Sequence, residues 1–330
     1  MKSLISSGGL AALTISALLA MNCNCEKGAA EYIGPSDIEI TDGKMTPEVL
    51  LSFGRLSDPQ LSPDGKTILY GVSYTSIEDN RTCRNLFVVN VDGTSPRQLT
   101  KDGKSISCAR WTNGNTITYI QGGQIWQATA RGLSGDNPKL VKRTQLSNVP
   151  NGIGEFKLSP DEKSLMYISY VKSDVKTAKD SDPKLDKADA YVAEDLMYRH
   201  WDHWETELPH TFVAKLGSEI TPDNSIDILA NEEKLYELPT EPHGGLEQLD
   251  WTPDGKYIAY SCKKKTGKEY AFSTNTEIYI YDVADGTCTV IPMGGGYDTN
   301  PVWSPDGKKI VWLSMARDGY EADKSRLMAG

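Results

Sequence analysis

A single hydrophobic–polar pattern recurs along the chain. PQLSPDGKTILYGVSY from Pro59, ARWTNGNTITYIQG from Ala109, FKLSPDEKSLMYISY from Phe156, LDWTPDGKYIAYSC from Leu249 and PVWSPDGKKIVWLSM from Pro301 share one plan. Each sets an apolar or aromatic residue before a four-residue polar turn, then a polar residue and an alternating apolar strand. Alternation such as Thr67-Ile68-Leu69-Tyr70 sends side chains to two layers, which predicts a strand on each side of the turn. The turn itself is chemically specified. Proline in its second position presets φ, Asp or Asn bonds its own neighbouring backbone, and glycine takes the left-handed position. The equivalent turn residues are Asp64, Asn113, Asp161, Asp254 and Asp306.

Each hairpin is followed by a second one. RNLFVVNVDGTSPRQLT, QIWQATARGLSGDNPKLVKRT and TEIYIYDVADGTCTVIPM each read as strand, turn, strand, and the third unit supplies HTFVAKLGS and NSIDILA. Markers lie about 50 residues apart, the period of a four-stranded propeller blade. The step from Asp161 to Asp254 is nearly twice that, yet it holds one blade's worth of strands. It therefore predicts an insertion of about 45 residues, placed at about 171–209. The expected fold is all-β, a partial β-propeller of four-stranded antiparallel blades with WD-like or TolB-like repeats. Four blades are complete and a fifth starts at Pro301. A propeller closes its ring to protect strand edges, so the sequence reads as a fragment of a longer protein.

The N-terminus changes the compartment. Lys2 and the apolar run GLAALTISALLAM form a signal peptide over residues 1–25, too short for a bilayer span of roughly 20 apolar residues. The propeller domain then covers 26–330, and the protein is expected to be exported, to the periplasm or associated with the outer membrane. Cys23 closely follows the apolar run, as in a lipid-anchored protein, whereas Met21 and Asn22 are not the small residues such a signal carries. Membrane attachment is expected only through such an anchor. Of the six cysteines, Cys83, Cys108, Cys262 and Cys288 lie beyond the signal; export permits disulfides, and buried thiols fit equally. None has zinc-site CxxC spacing. A net charge of −10 argues against nucleic acid as a partner, because phosphate binding needs a basic surface. Such a field suits a cationic ligand such as a peptide ammonium, or simple solubility.

The markers Ser62–Gly65, Thr252–Gly255 and Ser304–Gly307, the segment AEDLMYRHWDHWETELPHTFVAKL from Ala193, and WLSMARDGYEADKSRL resemble the N-terminal propeller of prolyl oligopeptidase-family serine peptidases. The branch is that of exported dipeptidyl and acylaminoacyl peptidases. The resemblance implies a following α/β-hydrolase domain with a Ser, Asp and His triad on a G-x-S-x-G elbow. The chain has no such elbow; Gly132-Leu133-Ser134-Gly135 has the wrong spacing. No catalytic residue is therefore assigned. What the resemblance implies is a substrate-gating and substrate-selecting propeller of a peptidase acting on short peptides, with its own missing hydrolase domain as partner and with no cofactor. The alternative is a TolB-like periplasmic scaffold that binds proteins.

Candidate substrate residues fall in the insertion. KSDVKTAKDSDPKLDKADA reads as a solvated loop, and Tyr191–Arg199 has a helical look. Glu194, Asp195 or Asp202 could pair with a peptide ammonium, while Tyr198 and Trp201 pack against side chains. The competing structural reading has Arg199 bridging Asp202 or Glu205 and the aromatics covering the blade. His200, His203 and His210 contain zinc-ligand types, but their spacing does not match H-E-x-x-H, so packing is preferred and no metal is expected. The marker Asp residues recur in every blade and read as turn formers. Gly294-Gly295-Gly296 reads as a loop between blades.

Overall fold

A computed structural model of the protein describes residues 31–40, 42–196, 198–200, 203–241, 244–292 and 294–330. The signal-peptide reading and Cys23 lie outside these. After a short helix α1 (Pro47–Ser52), capped by the Thr46 hydroxyl, the strands follow blade by blade. β1 (Arg55–Leu61), β2 (Thr67–Ser76), β3 (Arg81–Asn90) and β4 (Arg97–Gln98) form the first antiparallel sheet in sequence order. β5 (Ile106–Trp111), β6 (Thr116–Gln121), β7 (Gln124–Arg131) and β8 (Lys139–Gln145) repeat it.

The third sheet starts with β9 (Phe156–Leu158) and β10 (Ser164–Lys172). It is interrupted by β11 (Lys176–Thr177), helix α2 (Ala178–Ser181), β12 (Tyr191–Val192), β13 (Arg199–His200) and β14 (His203–Trp204). β15 (Glu207–Lys215) and β16 (Ser225–Asp227) then complete it. The fourth contains β17 (Leu249–Trp251), β18 (Tyr257–Cys262), β19 (Glu277–Asp282) and β20 (Cys288–Val290), with helix α3 (Gly267–Phe272) between its second and third strands. β21 (Asp298–Trp303), β22 (Ile310–Ser314) and β23 (Arg326–Ala329) make a three-stranded fifth. The fold is the all-β partial propeller that the repeats imply.

Marker turns close as their chemistry requires. Gly65 N–H donates to Ser62 O at 2.9 Å, and Thr67 N–H donates to Ser62 Oγ at 2.9 Å. Asp64 Oδ1 accepts from both the Ser62 hydroxyl and Lys66 N–H. The same set recurs around Asp254 and Asp306. At Asp161 the left-handed position is filled by Glu162, with φ 55°. The turn at Asn113 differs: Thr112 N–H pairs with Thr116 O, one residue fewer than Ser62 with Thr67. Asn113 therefore does not take the place of Asp64.

The middle strands of the second, third and fourth sheets, β6, β10 and β18, are buried on both faces because each of these sheets lies between two others. Four apolar clusters result. Leu69, Leu86, Ile117 and Tyr119 pack between the first two blades; Ile120, Phe156, Leu165 and Tyr167 between the next two. Met166, Val213, Trp251 and Tyr260 fill the third gap, and Ala259, Ile278, Ile310 and Trp312 the fourth. Adjacent residues of one strand thus serve opposite gaps, as Tyr119 and Ile120 do. First strands are also bolted to one another. Trp111 Nε1 donates to Gln60 O and Trp251 Nε1 to Lys157 O, while Arg110 pairs with Asp58 and Lys157 with Asp250. All four described cysteines are free.

Candidate functional site

The excess length of the third unit is divided between two places. One is the 173–206 segment within the β10–β15 hairpin; the other is the long connection from β16 to β17. The hairpin pairs without a break from Ser164↔Lys215 to Lys172↔Glu207, and the insertion grows from its open end. It holds two small ribbons, β11 with β12 and β13 with β14. The helical expectation over Tyr191–Arg199 fails here: both its ends are strand. Nine residues cannot sustain a helix without tertiary support, and the aromatics instead pair across the ribbons. Trp204 lies between Tyr191, at 4.6 Å, and Tyr198, at 5.9 Å between ring centroids. The Arg199 guanidinium covers the same ring at 5.7 Å. The polar first part is exposed, as a solvated loop would be, yet it carries α2, whose Thr177 and Asp180 form a reciprocal cap.

Isolated two-stranded ribbons are marginal in water, so the insertion depends on docking. One of its contacts is with α3. Gly267 has φ 55°, and a Cβ there would overlap the Asp195 carboxylate. Only glycine accommodates both the conformation and the approach. Asp195 with Leu196 forms one wall of a cavity of about 460 Å³, which also includes Leu208, Tyr236, Glu237 and Tyr270.

Tyr270 separates this cavity from a second one. Its hydroxyl donates to Glu237 Oε2 at 2.6 Å, and burial, then the Glu237 charge, pushes its ionisation far above the ordinary phenol range. Glu237 Oε2 also accepts from Glu241 N–H. Lys263 Nζ sits 3.7 Å from the Tyr270 ring centroid, and burial lowers its basicity against the pull of Glu237. The second cavity, about 410 Å³, is lined by Glu241, Glu247, Lys263, Tyr270, Tyr297 and Met315 among others. It lies among the loops that lead into and out of the fourth and fifth sheets. Its charged side chains are the carboxylates of Glu241, Glu247 and Glu321 and the ammonium of Lys263, beside the rings of Tyr270 and Tyr297.

Of the residues singled out in the sequence, only Asp195 reaches these cavities. Glu194, Tyr198 and Arg199 are exposed on the ribbons, and Trp201 and Asp202 lie outside the described residues. His210 is buried and pairs through Nδ1 with Asp227 at 2.7 Å, a packing role. Glu237, Glu241, Lys263 and Tyr270 were not foreseen. A signal existed: the β18–β19 hairpin carries a connection, 263–276, far longer than the 77–80 turn of the first blade.

No family model matches the chain. It is 40% identical over 317 residues to dipeptidyl-peptidase 5 of Porphyromonas endodontalis, covering 95% of this chain and 45% of that protein. The dipeptidyl-peptidase 5 of Porphyromonas gingivalis is 41% identical over 308 residues, covering 91% and 44%. The chain thus spans less than half the length of these relatives. Among solved structures, Pyrococcus horikoshii acylaminoacyl peptidase superposes with a TM-score of 0.57 at 16% identity, over 85% of this chain and 38% of that one. That likeness speaks for the fold.

Proposed function

We propose, from the premise that this chain is a propeller-like region of a prolyl oligopeptidase-family peptidase, that it gates and selects short peptides for an α/β-hydrolase domain of the same protein. The observation that carries this reading is the 40% identity to a dipeptidyl-peptidase along nearly the whole chain. The relatives are more than twice as long, which leaves room for a catalytic domain elsewhere. Hydrolysis would then follow the serine–histidine–aspartate scheme on that domain. The signal-like N-terminus supports export to the periplasm or the outer membrane.

Selection rests on charge. A short peptide entering from solvent carries an ammonium at its first residue. Glu241 and Glu247 line the cavity beside blade four, and Glu237 stands behind Tyr270. Charge-assisted hydrogen bonds of this kind are the strong ones. Asp195, whose carboxylate lies against Gly267 of α3, lines the neighbouring cavity on the other side of Tyr270.

The test uses the intact gene product with dipeptide-linked chromogenic substrates, free or Nα-acetylated, with and without a serine-directed inhibitor. Turnover should need the free amine and should stop with the inhibitor. The 330-residue chain alone should show none. Inhibitor-insensitive turnover, or equal cleavage of acetylated substrates, would sink the proposal.

A further inference from the structure

The cavity of about 410 Å³ has charges of both signs, and the cation is placed unusually. Lys263 is half-buried, its Nζ lies over the face of Tyr270, and among the described residues it forms no salt bridge. Its neighbour in sequence behaves differently: Lys264 is paired with Glu232 and covers the Tyr279 ring. A ring face attracts an ammonium but accepts no directed hydrogen bond of ordinary strength. Lys263 therefore keeps donors to spare at a cavity wall: Glu237, Asp318 and Glu321 act on its charge from a distance, but none is within ion-pair reach, and burial makes such a cation costly. A ligand oxygen would relieve that cost.

We infer that this cavity binds free dipeptides as zwitterions, with the ammonium on Glu241 and Glu247 and the terminal carboxylate on Lys263. This rests on the reading of the cavity as a peptide site and deepens it by naming the class of ligand. A binding site for substrate alone needs only the carboxylates, since the rest of a longer peptide continues toward the hydrolase. The cation suits a ligand that ends within the cavity. The volume fits that: it is at the small end of the ~300–1,000 Å³ typical of ligand sites. Tyr297 and Met315 supply apolar wall for the side chains. A dipeptidyl peptidase releases dipeptides, so occupancy by product would compete with the next peptide's amine and slow the enzyme as product accumulates.

The experiment is calorimetric titration of the purified chain with alanyl-leucine, its C-terminal amide and its N-acetyl form. The free dipeptide should bind at least about tenfold more tightly than the amide. Lys263→Met should abolish that preference and Lys263→Arg should keep it, with thermal melting confirming that both variants fold. Equal binding of acid and amide to the unaltered chain would overturn the inference, as would a preference that survives Lys263→Met or a lack of any binding. Equal binding of the N-acetyl form has a separate meaning. It would remove the carboxylate–ammonium half, and with it the amine-selecting reading above, whereas loss of the acid–amide preference alone would leave that reading standing.

Discussion

Asp250 joins three blades through one side chain, and its removal makes a quantitative test of how the sheets are held together. Its Oδ1 meets Lys157 Nζ at 2.6 Å, from the preceding blade, and its Oδ2 accepts from Trp303 N–H at 2.8 Å, from the following one. Asp250→Ala removes both. A hydrogen bond to a charged acceptor is worth about 1.5–3 kcal/mol, and more when the donor left behind is shielded from water. The lysine pair contributes less. Lys157 is 39% exposed, so screening reduces it to about 0.5 kcal/mol. The expected loss is therefore about 2–3 kcal/mol, which for a domain of this size lowers Tm by about 5 °C. Asp250→Asn keeps an oxygen facing Trp303 and should lose only about 1 kcal/mol. Urea titration and thermal melting of both variants measure this. A loss below about 0.5 kcal/mol in Asp250→Ala, the level of an ordinary surface substitution, would refute the reasoning. So would an Asn variant as damaged as the Ala one, because the backbone donor would then not be the main partner.

Three further outcomes are expected. Glu162→Gly should stabilise the chain by up to about 1 kcal/mol, since glycine relieves a left-handed residue where the other markers already have one; denaturant midpoints read this. Gly267→Ala should cost about 1–2 kcal/mol from φ alone and should loosen the insertion, raising protease sensitivity within 173–206. Asp298 is buried, and that burial raises its carboxyl above the ordinary Asp range. The unfolded chain therefore ionises first: stability from the neutral group is complete below the unfolded value of 3.8 and declines as pH rises toward the folded one. Asp298→Asn keeps an oxygen for Trp312 Nε1 and should gain on the parent across that window, by urea titration at stepped pH; a constant difference would count against the assignment.

The propeller was legible because its determinants are local. Ser62, Pro63, Asp64 and Gly65 satisfy one another within a single turn, so the string alone specifies the hairpin. The insertion was not legible in the same way. β12, β13 and β14 are two residues long, and their state is set by Trp204 stacking between Tyr191 and Tyr198, contacts that neither hydrophobic period reports. The site was the least legible part. Lys263, Tyr270 and Glu237 meet because α3 folds back over the connection to β17, and α3 starts at a glycine held left-handed by its approach to Asp195. Nothing in GKEYAF announces that. Asn113 shows the reverse error, where a residue type matched the repeat while the spacing did not.

The gaps between sheets have a consequence for how this molecule can transmit a perturbation. Every apolar cluster belongs to one pair of neighbours, so mechanical coupling runs like a relay, each runner touching only the next. Among the described residues, a disturbance in the first blade travels to the Lys263 cavity through the second and third, and it can weaken at each handover. The insertion stands one step away from that cavity. Ligand occupancy and insertion docking should therefore influence each other strongly, while remote blades act mainly as ballast that keeps both in place.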